Sequence, residues 1–189
     1  FGAIIFGQIG DRMGRRPALL ISIVTIGVAT GLIGLLPNYN SIGIWAPIAL
    51  TILRLVQGIA VGGEWGGATT MAIEHAPAEK RGRYAAFVQI GSPAGTLLSS
   101  GAFSLVLMLP EDAVSSWGWR IPFLIAFPFL AIALYIRTKV EESPVYQALE
   151  KEAEEDEAKH KGSLKELFTE HLGQIILAAA AALLGIGGF

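Results

Sequence analysis

A stretch of chain without a single charged residue, 18–36, constrains what this sequence can fold into. A helix that crosses the hydrocarbon core of a bilayer needs roughly 20 mainly apolar residues, and this stretch has that length. Further apolar stretches of similar length follow at 46–73, 84–109 and 119–136. The sequence therefore predicts an all-α, polytopic membrane protein with four complete transmembrane helices.

The composition agrees with a protein that lies in lipid. Charged residues make up 16% of the chain and apolar residues 52%, whereas a soluble domain carries about a quarter charged residues. No basic face points to nucleic acid, and the absence of cysteine excludes disulfides, thiolate metal sites and a cysteine nucleophile. Neither a nucleophile–base pair nor a metal-ligand cluster is evident, so we expect no enzyme, no metal site and no cofactor.

Both ends of the chain interrupt apolar segments. Residues 1–9 are apolar but too short to span a bilayer, and residues 173–189 are apolar up to the last one. The start lacks an initiator methionine and the basic region of a signal peptide. We interpret the sequence as a piece of a longer protein, cut inside transmembrane helices at both ends.

Basic residues in the connecting segments predict the orientation of the helices. Lysine and arginine are concentrated in the segments 10–17, 74–83 and 137–172, whereas the two intervening connections carry only Arg120. By the positive-inside rule, the three basic segments face the cytoplasm. The predicted location is therefore the plasma (inner) membrane, crossed several times.

The segment 137–172 is too polar to span a membrane. Within it, Ser163 and Glu166 have the spacing of a helix capping box, and apolar residues follow on one helical face. Two interpretations remain open, an amphipathic helix on the membrane surface or a solvated helix in a linker. The predicted domains are a partial N-terminal bundle at 1–136, a cytoplasmic connector at 137–172 and the start of a second bundle at 173–189.

Glycines, an aspartate and arginines occur at fixed spacing in and before the first basic segment. The positions are Gly7, Asp11, Arg12, Gly14, Arg15 and Arg16. This pattern resembles the cytoplasmic loop between the second and third helices of transporters of the major facilitator superfamily. The resemblance implies a twelve-helix fold, of which the chain covers part of helix 2 through the start of helix 7. It also implies that this loop helps to keep the cytoplasmic side closed.

Elementary chemistry is compatible with such a gate. Asp11 can accept hydrogen bonds from a helix N-terminus, where negative charge is favoured, and arginines can fork onto carboxylates. Glu74, followed by Pro77 and Arg81, resembles the loop after the fourth helix in sugar-porter-like members. Glu74 and Arg81 are therefore predicted to join the first loop in an ion-pair cluster. The alternatives are a basic loop without a specific role and an ordinary surface pair.

Two charges, Arg54 and Glu64, interrupt the span 46–73, where charge is costly. We therefore expect both side chains to face the interior of the bundle or a water-filled cavity. They are separated by roughly 15 Å along a helix and by roughly 80° around it, so they cannot pair with each other. Arg54 is predicted to be the main contact for the substrate or for coupling, with Gln57 and Glu64 near it. Structural ion pairs with other helices are the alternative.

Small residues and a proline predict details of packing in the middle of the chain. Glycines recur every four residues in two rows, Gly58, Gly62 and Gly66 and then Gly63 and Gly67, which predicts close helix packing. The pattern from Arg54 to Glu64 resembles the fourth helix of the superfamily. In the next span, Pro93 removes the hydrogen bond to the carbonyl of Gln89, which predicts a kink.

A tryptophan-rich stretch at 117–123 narrows the resemblance. Together with residues 62–64, it resembles the metabolite:proton symporter branch, whose members carry organic acids or zwitterionic osmolytes. Arg120 is predicted to be an outer anchor or an anion contact at the outer mouth. The sequence Glu-Ser-Pro at 142–144 is also similar to the superfamily's pattern after the sixth helix.

These resemblances imply a secondary active transporter that couples symport of a small metabolite to protons, by alternating access around a site near the membrane midplane. The implied partners are a small-molecule substrate, a proton as the coupling ion and the lipid bilayer, and a monomer is expected. Antiport or uniport, as in sugar-porter-like facilitators, remains the alternative.

Overall fold

A computed structural model describes residues 2–139, 141–148, 172–177 and 180. Every regular element within these residues is helical, as the sequence predicts. The α-helices up to residue 139 are α1 (Gly2–Met13), α2 (Arg15–Leu35), α3 (Tyr39–Ile42), α4 (Trp45–Glu74), α5 (Arg81–Gln89), α6 (Gly91–Val106), α7 (Glu111–Ser116), α8 (Ile121–Leu124) and α9 (Ala126–Lys139). Short 3-10 helices cover Ala78–Lys80 and Gly118–Arg120.

Within the described residues, three helical stretches are long and apolar enough to cross a bilayer, judged by length and composition. They are Arg15–Leu35, Trp45–Glu74 and Gly118–Lys139. Many large apolar side chains lie on the outside of the protein; Leu97 and Leu107, for example, are 75% and 70% exposed. Such a surface suits lipid, since hydrocarbon tails are as apolar as the side chains that they meet.

Helix α2 lies at the centre of the helix packing, in contact with α1, α4, α8 and α9. Its buried residues include Ala18, Ser22, Ala29 and Ile33. These four recur at spacings of a helical turn or two, so they form one continuous buried face. Because α2 contacts these four helices, it positions residues at both of its ends and in the middle of the bundle.

Helices α1 and α4 approach each other through glycine. A Cβ at Gly63 would overlap the ring of Phe6, and Cβ atoms at Gly62 and Gly67 would meet atoms of α1 and α2. The predicted packing role is confirmed for these glycines. For Gly58 and Gly66 it stays a prediction, since no described atom lies within 4 Å of a Cβ built at either position.

The span predicted at 84–109 is not one helix. It is divided into α5 and α6, with the break at Ile90. Pro93 lacks the N–H that would bond to the carbonyl of Gln89, which agrees with the predicted kink. The expectation of four complete helices is therefore met by three stretches of the described residues and fails for this one.

Two predicted boundaries also shift. The segment 10–17 is not a loop, because α1 continues to Met13 and α2 begins at Arg15, which leaves only Gly14 outside a helix. Helix α9 continues through Lys139. The connector predicted from residue 137 therefore begins inside a helix, and Arg137 belongs to α9.

The chain divides into two compact units, Phe1–Gln147 and Ala148–Phe189. All of the sites described below lie in the first unit. In the second unit, residues 172–177 are helical. The capping box predicted at Ser163 and Glu166 lies outside the described residues, so the two interpretations of that segment both stay open.

Candidate functional site

Glu142 caps the N-terminus of α2. Its Oε1 accepts a hydrogen bond from the backbone N–H of Arg15 at 3.0 Å, and its Oε2 accepts one from Arg16 at 3.1 Å. The first N–H groups of a helix lack partners within the helix and favour a negative charge. Gly14 permits this approach, because its φ is 101° and a Cβ there would overlap the Glu142 carboxylate.

Arg15 joins three helices beside this cap. Its Nη1 donates to Asp11 Oδ1 at 2.6 Å, and its Nε lies 3.9 Å from Glu74 Oε1. Ser143 is fully buried, and its Oγ donates to Glu74 Oε2 at 2.5 Å. We call Asp11, Arg15, Glu74, Glu142 and Ser143 the capping cluster. The cluster confirms that Asp11 and Arg15 lie near Glu74, at one end of the bundle.

The cluster differs from the sequence prediction in two respects. Asp11 pairs with the side chain of Arg15, and Glu142 takes the place at the helix N-terminus that was expected of Asp11. Arg81 does not join the cluster; its side chain is exposed and makes no hydrogen bond or ion pair with any described residue. The side chain of Arg12 is exposed as well.

The other predicted residues of this region lie beside the cluster. Arg16 Nη2 donates to the carbonyl of Thr138 at 2.9 Å, which ties the start of α2 to the end of α9. Gly7 lines a cavity of about 210 Å³ between α1, α2 and α4, next to Arg15. Glu142 and Ser143 are absent from the predicted site residues. In the sequence they belong to the Glu-Ser-Pro stretch at 142–144. Its role as a cap could not be predicted, because it depends on the fold that brings this stretch to the N-terminus of α2.

Arg54 lies in a larger cavity, of about 480 Å³, lined by residues of α2, α4, α6, α8 and α9. Its Nη1 donates to Gln57 Oε1 at 3.0 Å, and Gln57 Nε2 donates to Thr30 Oγ1 of α2 at 2.6 Å. The guanidinium also lies 5.9 Å from the centre of the Phe123 ring, within cation–π range. No carboxylate of the described residues pairs with Arg54. The side chain is exposed and opens into this cavity between the helices, and no acid among the described residues neutralises its charge.

Glu64 lines a separate cavity, of about 240 Å³, between α2 and α9. As the helical geometry predicts, Arg54 and Glu64 do not pair with each other. Three residues line both cavities, namely Thr30, Ala126 and Phe129. The two cavities are therefore neighbours that share a wall.

Arg120 lies at the opposite end of α2 from the capping cluster. Its Nη2 donates to the carbonyl of Leu36 at 3.1 Å and to Asn38 Oδ1 at 2.9 Å, and its Nη1 donates to the carbonyl of Ser116 at 2.9 Å. The guanidinium also stacks 4.4 Å from the centre of the Trp119 ring. These contacts occupy both arms of the guanidinium and favour the anchor interpretation.

Trp65 makes a polar contact that the sequence patterns did not identify. Its Nε1 donates to Gln89 Oε1 at 2.8 Å. Gln89 is the last residue of α5, directly before the break at Ile90. The bond therefore ties α4 to the broken helix, and the position of Trp65 between glycines of α4 gave no signal for it.

Comparisons with known proteins agree with this architecture. The family described as sugar (and other) transporter matches residues 1–174. The chain is 41% identical over 177 residues to the inner membrane metabolite transport protein YhjE of Escherichia coli, covering 93% of this chain and 39% of that protein. It is 48% identical over 147 residues to the shikimate transporter of Escherichia coli, covering 77% and 34%. It is 40% identical over 176 residues to the proline/betaine transporter of Salmonella typhimurium, covering 90% and 35%.

A solved structure shows the same helix arrangement. It is the xylose transporter XylE from Escherichia coli in a partially occluded inward open conformation, with a TM-score of 0.70 and 25% identity over 79% of this chain and 36% of that chain. The chain spans about a third to two fifths of the length of the relatives that it matches. The resemblance drawn from the motifs is confirmed: this chain is a membrane protein that belongs to the sugar (and other) transporter family of the major facilitator superfamily, a family of transporters and not of enzymes.

Proposed function

We propose that the protein containing this chain is an inner-membrane symporter that carries a small organic acid or zwitterion together with a proton. The names of the relatives support this choice of substrate class and membrane, since one transports shikimate, another proline and betaine, and a third lies in an inner membrane. Alternating access around a site between helices is the corresponding mechanism.

The charge of Arg54 is the observation that carries the proposal. Its cavity of about 480 Å³ falls in the usual range for small-molecule sites, about 300–1,000 Å³. The guanidinium presents N–H donors that suit a carboxylate, a group that shikimate, proline and betaine share. Gln57 holds one arm of Arg54. The substrate carboxylate supplies the negative charge that the described residues do not.

The capping cluster has a different role in the proposal. It braces the cytoplasmic end of the bundle, because its hydrogen bonds and ion pairs connect α1, α2, α4 and the segment after α9. Arg12 and Arg81 are exposed at the helix ends next to it. They are candidates for gate contacts with other parts of the transporter.

Transport by the full-length protein in proteoliposomes tests this function. Labelled shikimate, proline, glycine betaine and xylose are offered under an imposed pH gradient, with and without a protonophore. We expect at least one of the three carboxylate compounds to accumulate above its external concentration, and the protonophore to abolish that accumulation. Equilibration that the protonophore does not affect would indicate uniport or antiport. Accumulation of xylose alone would contradict the role of Arg54.

A further inference from the structure

Glu64 has a charged counterpart on another helix. Arg137 of α9 is the charged group whose electrostatic field acts on Glu64. Leu130 and Ala133, which line the cavity of Glu64, precede Arg137 at helical spacings and share its face of α9. Arg137 therefore lies at the edge of the cavity that Glu64 faces.

Glu64 and Arg137 are close enough for their charges to interact, but no direct contact joins them. Neither Glu64 nor Arg137 makes a hydrogen bond or an ion pair with any described residue. Glu64 lies about 15 Å from the Glu74 end of α4, given the helical rise per residue. The cavity of about 240 Å³ has room for several water molecules, each of which occupies about 30 Å³ in the liquid.

The other charged groups on the surrounding helices have different neighbours. On α2, Arg15 belongs to the capping cluster and Arg16 bonds to Thr138. On α4, Arg54 lies in its own cavity, and on α9, Lys139 lies 5.8 Å from the centre of the Tyr135 ring. Glu64 is the one ionisable residue that lines the cavity between α2 and α9 in the described part of the chain.

The cavity of Glu64 also connects to the candidate substrate site. Thr30, Ala126 and Phe129 form the wall between the two cavities. Thr30 Oγ1 accepts a hydrogen bond from Gln57, and Gln57 accepts one from Arg54. A chain of hydrogen bonds thus runs from Arg54 to Thr30, in the wall of the cavity that Glu64 lines.

We propose that Glu64 is a proton-binding carboxylate and that Arg137 is the positioning residue that supplies its counter-charge. This inference rests on the proposed function, because it places the coupling proton. Ionised Glu64 is attracted to Arg137, which draws α9 towards α4. When the carboxylate takes a proton from water, it becomes neutral and that attraction is lost, while Arg137 stays charged. Release of the proton to water on the other side restores the pair.

The test uses the full-length protein in proteoliposomes and two measurements. The probe is whichever of labelled shikimate, proline and glycine betaine the wild type exchanges fastest. One measurement is accumulation under a pH gradient, where two pH units support roughly a hundredfold accumulation for one proton per substrate. The other is exchange of labelled for unlabelled probe at equal pH. We expect Glu64→Gln to retain exchange and to accumulate nothing above the external concentration.

Substitutions of Arg137 separate coupling from packing. Arg137→Lys keeps the charge and should retain accumulation, whereas Arg137→Gln should lose much of it. Glu111→Gln, in the outer helix α7, is the matched control and should behave as the wild type. The double variant Glu64→Gln/Arg137→Gln should not accumulate, since it has no carboxylate that can carry the proton.

Several results would overturn the inference. If Glu64→Gln accumulates the probe as well as the wild type does, Glu64 is not the proton-binding residue, although the protein is still a symporter. Restored accumulation in the double variant means that the pair serves only helix packing. If the wild type exchanges the probe but does not accumulate it, the protein is not a proton symporter, and the proposed proton site is contradicted as well. If Glu64→Gln does not insert, equal substrate-driven proton uptake by Arg137→Gln and Arg137→Lys also contradicts the inference.

Discussion

The capping cluster and the Arg54 cavity belong to the same bundle but satisfy their charges in opposite ways. Glu142 accepts hydrogen bonds from three backbone N–H groups, those of Arg15, Arg16 and Ser143. Glu74 accepts one from the Ser143 hydroxyl and faces Arg15. Arg54 has a neutral amide and an aromatic ring as its neighbours. One region therefore compensates its charges within the chain, and the other leaves a cation open towards a cavity.

This difference separates two uses of charge. A charge at a helix end can be stabilising, because the helix dipole and unpaired backbone groups favour it. A charge inside a span costs about 2.5–3.5 kcal/mol on insertion scales unless something compensates it. We infer that the capping cluster holds helices together, whereas Arg54 is kept for a ligand. Substitutions in the cluster should then affect stability more than transport, and substitutions at Arg54 should do the reverse.

The largest expected loss of stability comes from Gly14→Ala. Gly14 and Gly43 both have positive φ, 101° and 57°, but a Cβ overlaps Glu142 at the first position and meets nothing within 4 Å at the second. Backbone strain of about 1–3 kcal/mol applies to both, and loss of the cap adds about 1 kcal/mol at Gly14 alone. The melting temperature of the full-length protein, followed by tryptophan fluorescence in detergent, should fall further for Gly14→Ala than for Gly43→Ala. Equal shifts would show that the contact with Glu142 contributes nothing.

Glu142→Gln should have a smaller effect. The amide keeps one acceptor for the N-terminus of α2 but loses the negative charge and the second acceptor, which lowers stability by about 1 kcal/mol. The adjacent Glu141 is exposed, so Glu141→Gln is the matched control and should leave the melting temperature unchanged. Equal melting temperatures for the two variants would show that Glu142 does not stabilise the N-terminus of α2.

Asp11→Asn should have the smallest effect. The Asp11 side chain is 67% exposed, and exposed ion pairs contribute about 0–1 kcal/mol. The small difference from the wild type should decrease as salt is added, because salt screens exposed charges. Melting temperatures at low and high ionic strength measure it. A large loss that salt does not change would mean that Asp11 supports the cluster more than its single contact indicates.

The sequence predicted the long helices closely because hydropathy reports them directly. The stretch 18–36 corresponds to Arg15–Leu35, and 46–73 corresponds to Trp45–Glu74. The divided helix was predicted only as a kink. Pro93 shows where a hydrogen bond is missing, but it does not show that the helix is interrupted at Ile90.

The sites were predictable where a local motif or helical spacing was enough. Asp11, Arg15 and Glu74 follow from motifs, and the separation of Arg54 from Glu64 follows from helix geometry. The cap by Glu142 was missed because it joins residues 127 positions apart in the chain. The charge of Arg137 predicts a cytoplasmic segment, whereas its relation to Glu64 depends on where α9 ends and which face it presents.

A comparison of Arg54→Lys with Glu142→Gln in the full-length protein tests whether Arg54 binds substrate while the capping cluster stabilises the fold. Lysine keeps the charge but loses the planar fork that binds both oxygens of a carboxylate. Substrate exchange per folded molecule should fall at least about tenfold for Arg54→Lys, since a charge-assisted hydrogen bond contributes about 1.5–3 kcal/mol, while its melting temperature stays near that of the wild type. Glu142→Gln should show the reverse. Normal exchange by Arg54→Lys, and also by Arg54→Ala at normal protein levels, would contradict the substrate role and leave Arg54 with packing alone.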